Sequence, residues 1–305
     1  MTKTIAITAK AEMDGNPQQT APREPLSRAD EINFLLTNRV PRVLGTHVAG
    51  WLSKIEHPWV CAFCIGVWRM FAKLDLSEAK EQHFKSMHAC FTRELKPGAR
   101  TVDPDPQTLT SPCDAIVGAC GRVAGDTLLQ AKGLTYTLED FFAGSEDAAR
   151  YRDGTYITLR LTSTMYHRFH APHDGEIEHV TYISGDVWNV NPPAVARVPK
   201  LYCRNERALI RMRLAAGHTI TLAPVAAILV ASIRLKFADV LLHLRYKGPN
   251  EIPCAAKAAK GQELGWFEHG STIIVFAPKG FELAPGIAQG ATIRMGQPLM
   301  RLPTN

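Results

Sequence analysis

From Ala115 onward the chain is a succession of short β-branched runs cut by Gly, Pro and Asp turns. The runs are Ala115–Val123, Thr155–Thr162, Glu176–Ile183, Ala208–Leu214, Thr219–Leu229, Ser232–Phe237 and Thr272–Ala277. Runs of this length and spacing predict a mainly antiparallel sandwich or barrel, with one helix around Leu138–Ala143. Asp30 to Phe91 has a different texture. Apolar residues recur there at helical intervals, as in Ile32, Leu35 and Leu36, then Val43, Leu44 and Val48, then Trp51, Leu52 and Ile55. Lys96–Pro112, rich in Pro, Asp and Thr, reads as the connector between the two textures. The expected fold class is α+β: N-terminal amphipathic helices followed by a mainly antiparallel β-barrel or sandwich-like core.

A chain of 305 residues can bury a large core. Its 46% hydrophobic and 21% charged residues are ordinary for a globular protein. The net charge of +6 leans towards anionic partners and does not choose between lipid headgroups and nucleic acid. Seven cysteines, an odd number, without a cleavable-looking leader argue for a reducing compartment. The lone pair Cys61 and Cys64 sits in an apolar segment and reads as packing. Residues 1–29 are polar, carry Pro17, Pro22 and Pro25, and read as a disordered leader rather than a signal peptide. The most apolar stretch, Trp59 to Ala72, is broken by Arg69 and is too short to span a bilayer. Arg39, Arg42, Lys54, Arg69 and Lys73 interleave with Trp51, Trp59 and Trp68. That mixture suits a lipid headgroup boundary, and equally a helical subdomain with its tryptophans inside.

Three places carry chemistry. Trp266–Phe276 places Gly270-Ser271-Thr272 at the head of an apolar strand. Met165–Gly175 holds His167, His170 and His173 with Asp174, which can be read as a metal cluster or as proton-transfer groups. Ser111–Val117 puts Asp114 at the entrance to a strand, where Asp is usually a turn-former. Together they supply Asp114, His170 and Ser271, the residue types of an activated hydroxyl.

In these places and beyond, the chain resembles the phosphatidylserine decarboxylases, pyruvoyl enzymes made as self-cleaving proenzymes. The likeness runs from about Trp51 to Leu299. It includes Gln130-Ala131-Lys132-Gly133, Tyr166-His167-Arg168-Phe169-His170, Gly185–Asn191 and Asn205-Glu206-Arg207. It continues through Lys260–Gly265, Gly270-Ser271-Thr272 and Gly296-Gln297-Pro298-Leu299. Two positions depart from the family pattern. His269 stands where a small aliphatic residue usually precedes Gly-Ser-Thr, and Ala115 follows Asp114 in place of Gly.

The resemblance implies two reactions. In the first, Ser271 Oγ attacks the Gly270 carbonyl, with His170 as base and Asp114 holding its tautomer. Elimination and hydrolysis then leave a pyruvoyl group at position 271. The products are a β chain of residues 1–270 and an α chain of residues 271–305, a non-covalent heterodimer. In the second, the pyruvoyl carbonyl takes the substrate amine as a Schiff base, carbon dioxide leaves, and His167 protonates the product. The resemblance implies no metal and no nucleic-acid partner. It gives residues 30–95 as a membrane-associating region and 96–305 as the catalytic core. Phosphatidylserine in an anionic membrane is the expected substrate, with the enzyme peripheral on the cytoplasmic face. Two other classes share the residues: a hydrolase with a lasting Asp114/His170/Ser271 triad, and a non-enzymatic lipid-binding module.

Overall fold

The computed structural model describes residues 31, 34–35, 42–131, 133–228, 232–268 and 271–304. The leader, Lys132, His269 and Gly270 lie outside the described residues.

The first elements are two short helices, Arg42–Ser53 and Pro58–Phe71. Pro58 occupies the first turn of the second, where its missing N–H has no partner to lose. A one-turn helix, Met87–Phe91, follows, capped by the Ser86 side chain accepting from the Ala89 N–H. The even choice between tryptophans inside and outside resolves residue by residue. Trp68 stacks on buried Phe91 at 5.8 Å between ring centroids, whereas Trp51 and Trp59 are 70% and 81% exposed.

The core is an open sandwich, and no sheet closes into a barrel among the described residues. Its centre is an eight-stranded antiparallel sheet. In spatial order the strands are Glu251–Ala258, Gly175–Ile183, Arg207–Leu214, Thr219–Ala226, Ser271–Ala277, Thr155–Leu161, Ala115–Arg122 and Thr292–Ile293. Ser271–Ala277 is buried throughout because it has partners on both edges and cover on both faces. Ile273 and Val275 pack to one side, Ile274 and Phe276 to the other, as a period of two requires.

The Ile273 face packs against a four-stranded sheet ordered Val240–His243, Ser232–Leu235, Glu263–Phe267 and Arg168–His170. Phe169, Ile233, Leu235 and Phe267 fill the interface. Gly265 is required there, since a Cβ would run into the Arg234 carbonyl oxygen and the Phe169 ring. The Phe276 face is covered by a hairpin, Thr127–Ala131 with Leu134–Thr137, and by the helix Leu138–Phe142. A capping box between Thr137 and Asp140 starts that helix.

The expected strands and the expected helix are present with ends moved by a few residues. The Lys96–Pro112 connector, expected to be irregular, ends in the strand Thr108–Thr110, which pairs with Pro298–Arg301. That pairing joins segments nearly two hundred positions apart, so local composition carries no trace of it.

Candidate active site

Ser271 opens a central strand, opposite Leu161 on one neighbour and Ala226 on the other. Its side chain is completely buried, and its Oγ has no hydrogen-bond partner among the described residues. A buried hydroxyl without a partner costs about 1–3 kcal/mol. Thr272 Oγ1 and Trp266 Nε1 are buried in the same way among the described residues, so what sets Ser271 apart is its place at the head of the central strand.

His167 and His170 flank Arg168–Phe169 on extended backbone. Three residues apart on a strand, they point to different surroundings, unlike two residues on a helical turn. His170 lies opposite Glu263 in the four-stranded sheet. Its Nδ1 is 2.9 Å from the Gly261 carbonyl oxygen and its Nε2 is 3.0 Å from the Tyr166 hydroxyl. The Gly261 carbonyl can only accept, so Nδ1 carries the proton and Nε2 accepts from Tyr166. Burial lowers the pKa of this imidazole from its ordinary 6.5, against the opposing pull of the Gly261 carbonyl and the charges of Glu263 and Asp114. His170 is therefore a free base near neutral pH.

His167 is also fully buried, with Nδ1 2.8 Å from the Met165 carbonyl oxygen and its ring 3.9 Å from that of Phe91. The Met165 contact places the proton on Nδ1 and makes Nε2 the basic nitrogen. The His167 carbonyl accepts from the Phe267 N–H at 3.0 Å, four positions before Ser271. His167 thus stands on the Ser271 side of this sheet, while His170 pairs farther back along the same strand.

Asp114 closes no hydrogen-bonded chain to His170. Its carboxylate is held by Arg100, with Nε 2.8 Å from Oδ1 and Nη2 on Oδ2, and by the Met295 N–H at 2.9 Å. Arg100 is held in turn by Glu78 at 2.8 Å. Asp114 precedes its strand, so its side chain drops onto the connector, where Arg100 waits. The charge of Asp114 still acts on His170 and favours its protonated form.

His173 takes no part in a cluster, because both of its ring nitrogens lie on carbonyl oxygens, of Asp174 at 2.9 Å and Pro106 at 2.8 Å. Among the described residues no three His, Cys, Asp or Glu side chains gather as a metal site. Cys61 donates to the Phe84 carbonyl at 3.2 Å, and burial raises its pKa.

Glu268, next to the undescribed pair, is buried and ties this region to the first helices. Lys54 Nζ is 3.0 Å from its Oε2 and His88 Nε2 is 3.2 Å from its Oε1. Burial alone would raise the pKa of this carboxyl; His88 and Lys54 outweigh it and hold the pKa low. A cavity of about 330 Å³ opens beside it, lined by His47, Trp51, Lys54, Ser232, His243 and Glu268 among others.

A family model described as phosphatidylserine decarboxylase matches residues 87–301. The chain belongs to the phosphatidylserine decarboxylase family. The family's reaction makes it a carboxy-lyase. A phosphatidylserine decarboxylase proenzyme of Dickeya dadantii is 34% identical over 279 residues, covering 88% of this chain and 91% of the relative. One of Halorhodospira halophila is 36% identical over 279 residues, covering 89% and 92%. One of Brevibacillus brevis is 33% identical over 229 residues, covering 74% and 82%.

Within this decarboxylase framework, sequence reasoning missed Arg100, Tyr166 and Glu268. Tyr166 stands next to His167 in the quoted motif, and a tyrosine beside two histidines was the available signal. Arg100 gave none, since an arginine in a polar connector usually faces water.

Proposed function

We propose that this chain cuts itself between Gly270 and Ser271 and then decarboxylates phosphatidylserine through the pyruvoyl group formed at position 271. The observation that carries the reading is the Ser271 hydroxyl. It is buried, without a hydrogen bond among the described residues, at the head of a strand locked into the sheet on both sides. A small planar carbonyl group in its place would remove an unsatisfied donor, so the surroundings fit the group better than they fit the serine.

In the cleavage, Ser271 Oγ is the nucleophile and His170, kept neutral by burial, is the base. Asp114 supports His170 by its charge rather than by a direct hydrogen bond. The pyruvoyl group supplies a carbonyl that takes the substrate amine and draws electrons away as carbon dioxide leaves. His167 would then give a proton to the carbon that lost carbon dioxide. Its Met165 contact fixes the tautomer, and the Phe91 ring fixes its plane.

The lipid would arrive over the first helices. Leu44, Val48, Trp51, Trp59, Phe63 and Met70 are exposed there, an apolar set suited to shallow burial in a bilayer surface. Among the described residues no helix is long and apolar enough to cross a membrane. The reading is a peripheral enzyme on the cytoplasmic face, with the cavity beside Lys54 and His47 admitting an anionic headgroup. Residues 1–270 and 271–305 stay together as a non-covalent heterodimer.

Intact mass of the purified protein tests this. The expected result is two chains, the smaller starting at residue 271 with a pyruvoyl end. One uncut chain with an unmodified serine would overturn the reading.

A further inference from the structure

Arg93, just past the helix Met87–Phe91, is a buried cation with no part in the reactions described so far. It pairs with no carboxylate among the described residues; Asp114 and Asp75 act on it only at longer range. Its hydrogen bonds go to main-chain carbonyls instead. Nη1 donates to Cys90 at 3.3 Å, and Nη2 donates to Thr164 at 2.8 Å and to Met165 at 3.3 Å. Burying a guanidinium without an anion beside it is costly, so the place of those carbonyls matters.

One of them is the acceptor of His167. The Met165 oxygen takes the His167 Nδ1–H at 2.8 Å as well as the Arg93 Nη2–H, which fills both of its lone pairs. The Thr164 and Met165 carbonyls belong to a turn, where the Met165 N–H donates to the Thr162 carbonyl at 3.1 Å. A turn has no sheet ladder to fix its peptide planes. Nη2 carries two N–H groups and bridges two successive carbonyls, which sets the direction of both. The neighbours of Arg93 act on the same stretch. The Phe91 ring lies 3.9 Å from that of His167, and the Thr92 carbonyl accepts from Arg168 Nε at 3.0 Å. An aromatic face fixes the plane of an imidazole but does not choose between its tautomers. The Met165 carbonyl makes that choice, and Arg93 sets where it points.

Resting on the decarboxylation reading, we propose that Arg93 is the positioning residue of His167: it pins the Met165 carbonyl, and that carbonyl holds the imidazole with its permanent proton on Nδ1 and its working proton on Nε2. In each turnover Nε2 gives its proton to the carbon that lost carbon dioxide, and Nδ1 keeps its own on Met165. The ring is left neutral in the same tautomer, and water returns a proton to Nε2. Arg93 itself touches neither substrate nor reacting atoms. It acts through one carbonyl, as an outer partner orients a histidine that does chemistry.

The test is Arg93→Met, which keeps an apolar stem and removes the guanidinium. A reacting group misplaced by about 1 Å can cost about 10²-fold, so kcat for decarboxylation should fall by that order with KM unchanged. Self-cleavage, which does not use His167, should stay complete by mass. A second readout needs no turnover. In the uncut Ser271→Ala chain carrying isotope-labelled histidine, the ring-nitrogen resonances of His167, assigned by their loss in His167→Gln, should be those of the Nδ1–H tautomer. Arg93→Met in that background should move them towards the Nε2–H tautomer or split them. Wild-type kcat in Arg93→Met, or unchanged His167 resonances, would overturn the proposal. Equal loss of cleavage and decarboxylation would mark Arg93 as a general support of the fold and overturn it too. If Arg93→Met does not fold, Arg93→Lys decides, since it puts a point donor in place of the planar fork. Its kcat should drop while KM holds, and wild-type kcat there refutes the proposal. Wild-type protein that is uncut by mass, or His167→Ala that decarboxylates normally, would instead sink the reading on which the proposal rests.

Discussion

Lys54 reaches across from the first helix to pair with Glu268 at 3.0 Å, so a helix with an exposed tryptophan is tied to the segment just before Ser271. The lysine is half exposed and the glutamate is not. Lys54→Ala should cost about 1 kcal/mol or less in thermal unfolding, as partly exposed pairs do. Its larger effect should be on coupling: vesicle binding persists while decarboxylation of membrane-bound substrate falls. The pH sign follows from the low pKa of Glu268. The contribution is whole above 4.5, the carboxyl's ordinary value, and is lost as the pH falls through the folded value. Melting curves at pH 7 and pH 4 check this.

Asp114→Ala should leave the chain uncut and also destabilise it by roughly 3 kcal/mol, because buried Arg100 loses its best partner. Asp114→Asn separates the two effects. It keeps an acceptor for the Met295 N–H and removes only the charge that makes His170 more basic. The acid limb of the cleavage rate should then shift to lower pH and the plateau should fall. An unchanged profile would remove Asp114 from the cleavage machinery.

Tyr166→Phe should cost about 1 kcal/mol and free the Nε2 of His170. That hydrogen bond favours the neutral ring, so its loss raises the His170 pKa and moves the acid limb of cleavage upward. Wild-type stability carries the same signature. The folded ring is harder to protonate than the unfolded one, so stability is full above 6.5 and declines as the pH falls below it. Cleavage time courses and denaturant melts between pH 5 and 7.5 report both.

Ser271→Ala should give one uncut chain without activity and should not destabilise it. The hydroxyl has no partner among the described residues to lose, so the melting temperature should stay level or rise. A large drop would mean that the serine is held by a bond to the undescribed pair.

Trp51→Ala combined with Trp59→Ala should weaken binding to anionic vesicles at least tenfold and leave self-cleavage intact. Both side chains are mostly exposed, and an interfacial tryptophan contributes by shallow burial in lipid rather than by packing. Equal binding by the double variant would move the membrane contact elsewhere.

Much of this architecture could be read from the chain itself, for reasons that are local. Ser271–Ala277 is a run of β-branched and aromatic residues behind a turn, and it is the central strand. Leu138–Phe142 announces itself by Thr137 and Asp140 three positions apart. Other elements hide. Arg168–His170 is too short to show alternation, and Glu251–Ala258 is an Ala-rich edge strand that carries Pro253. In the site, residue types could be named and contacts could not. Asp114 and His170 read as a hydrogen-bonded pair, but the carboxylate went to Arg100 and the ring to Tyr166 and Gly261. Which acceptor a donor finds depends on pairings between distant segments, and no spacing along the chain records them.

The place of Ser271–Ala277 in the middle of the sheet also sets an order of events. A strand with neighbours on both edges and apolar cover on both faces cannot be slotted in from outside. Its continuation is stitched into two more pairings, Thr292–Ile293 and Pro298–Arg301. On the proposed self-cleavage, folding would come first and scission second, and residues 271–305 would never exist as a free molecule that could be exchanged between copies. Pieces 1–270 and 271–305 made apart and mixed should not yield active protein, and a self-cleaved copy would be committed for its lifetime to the two halves it was born with.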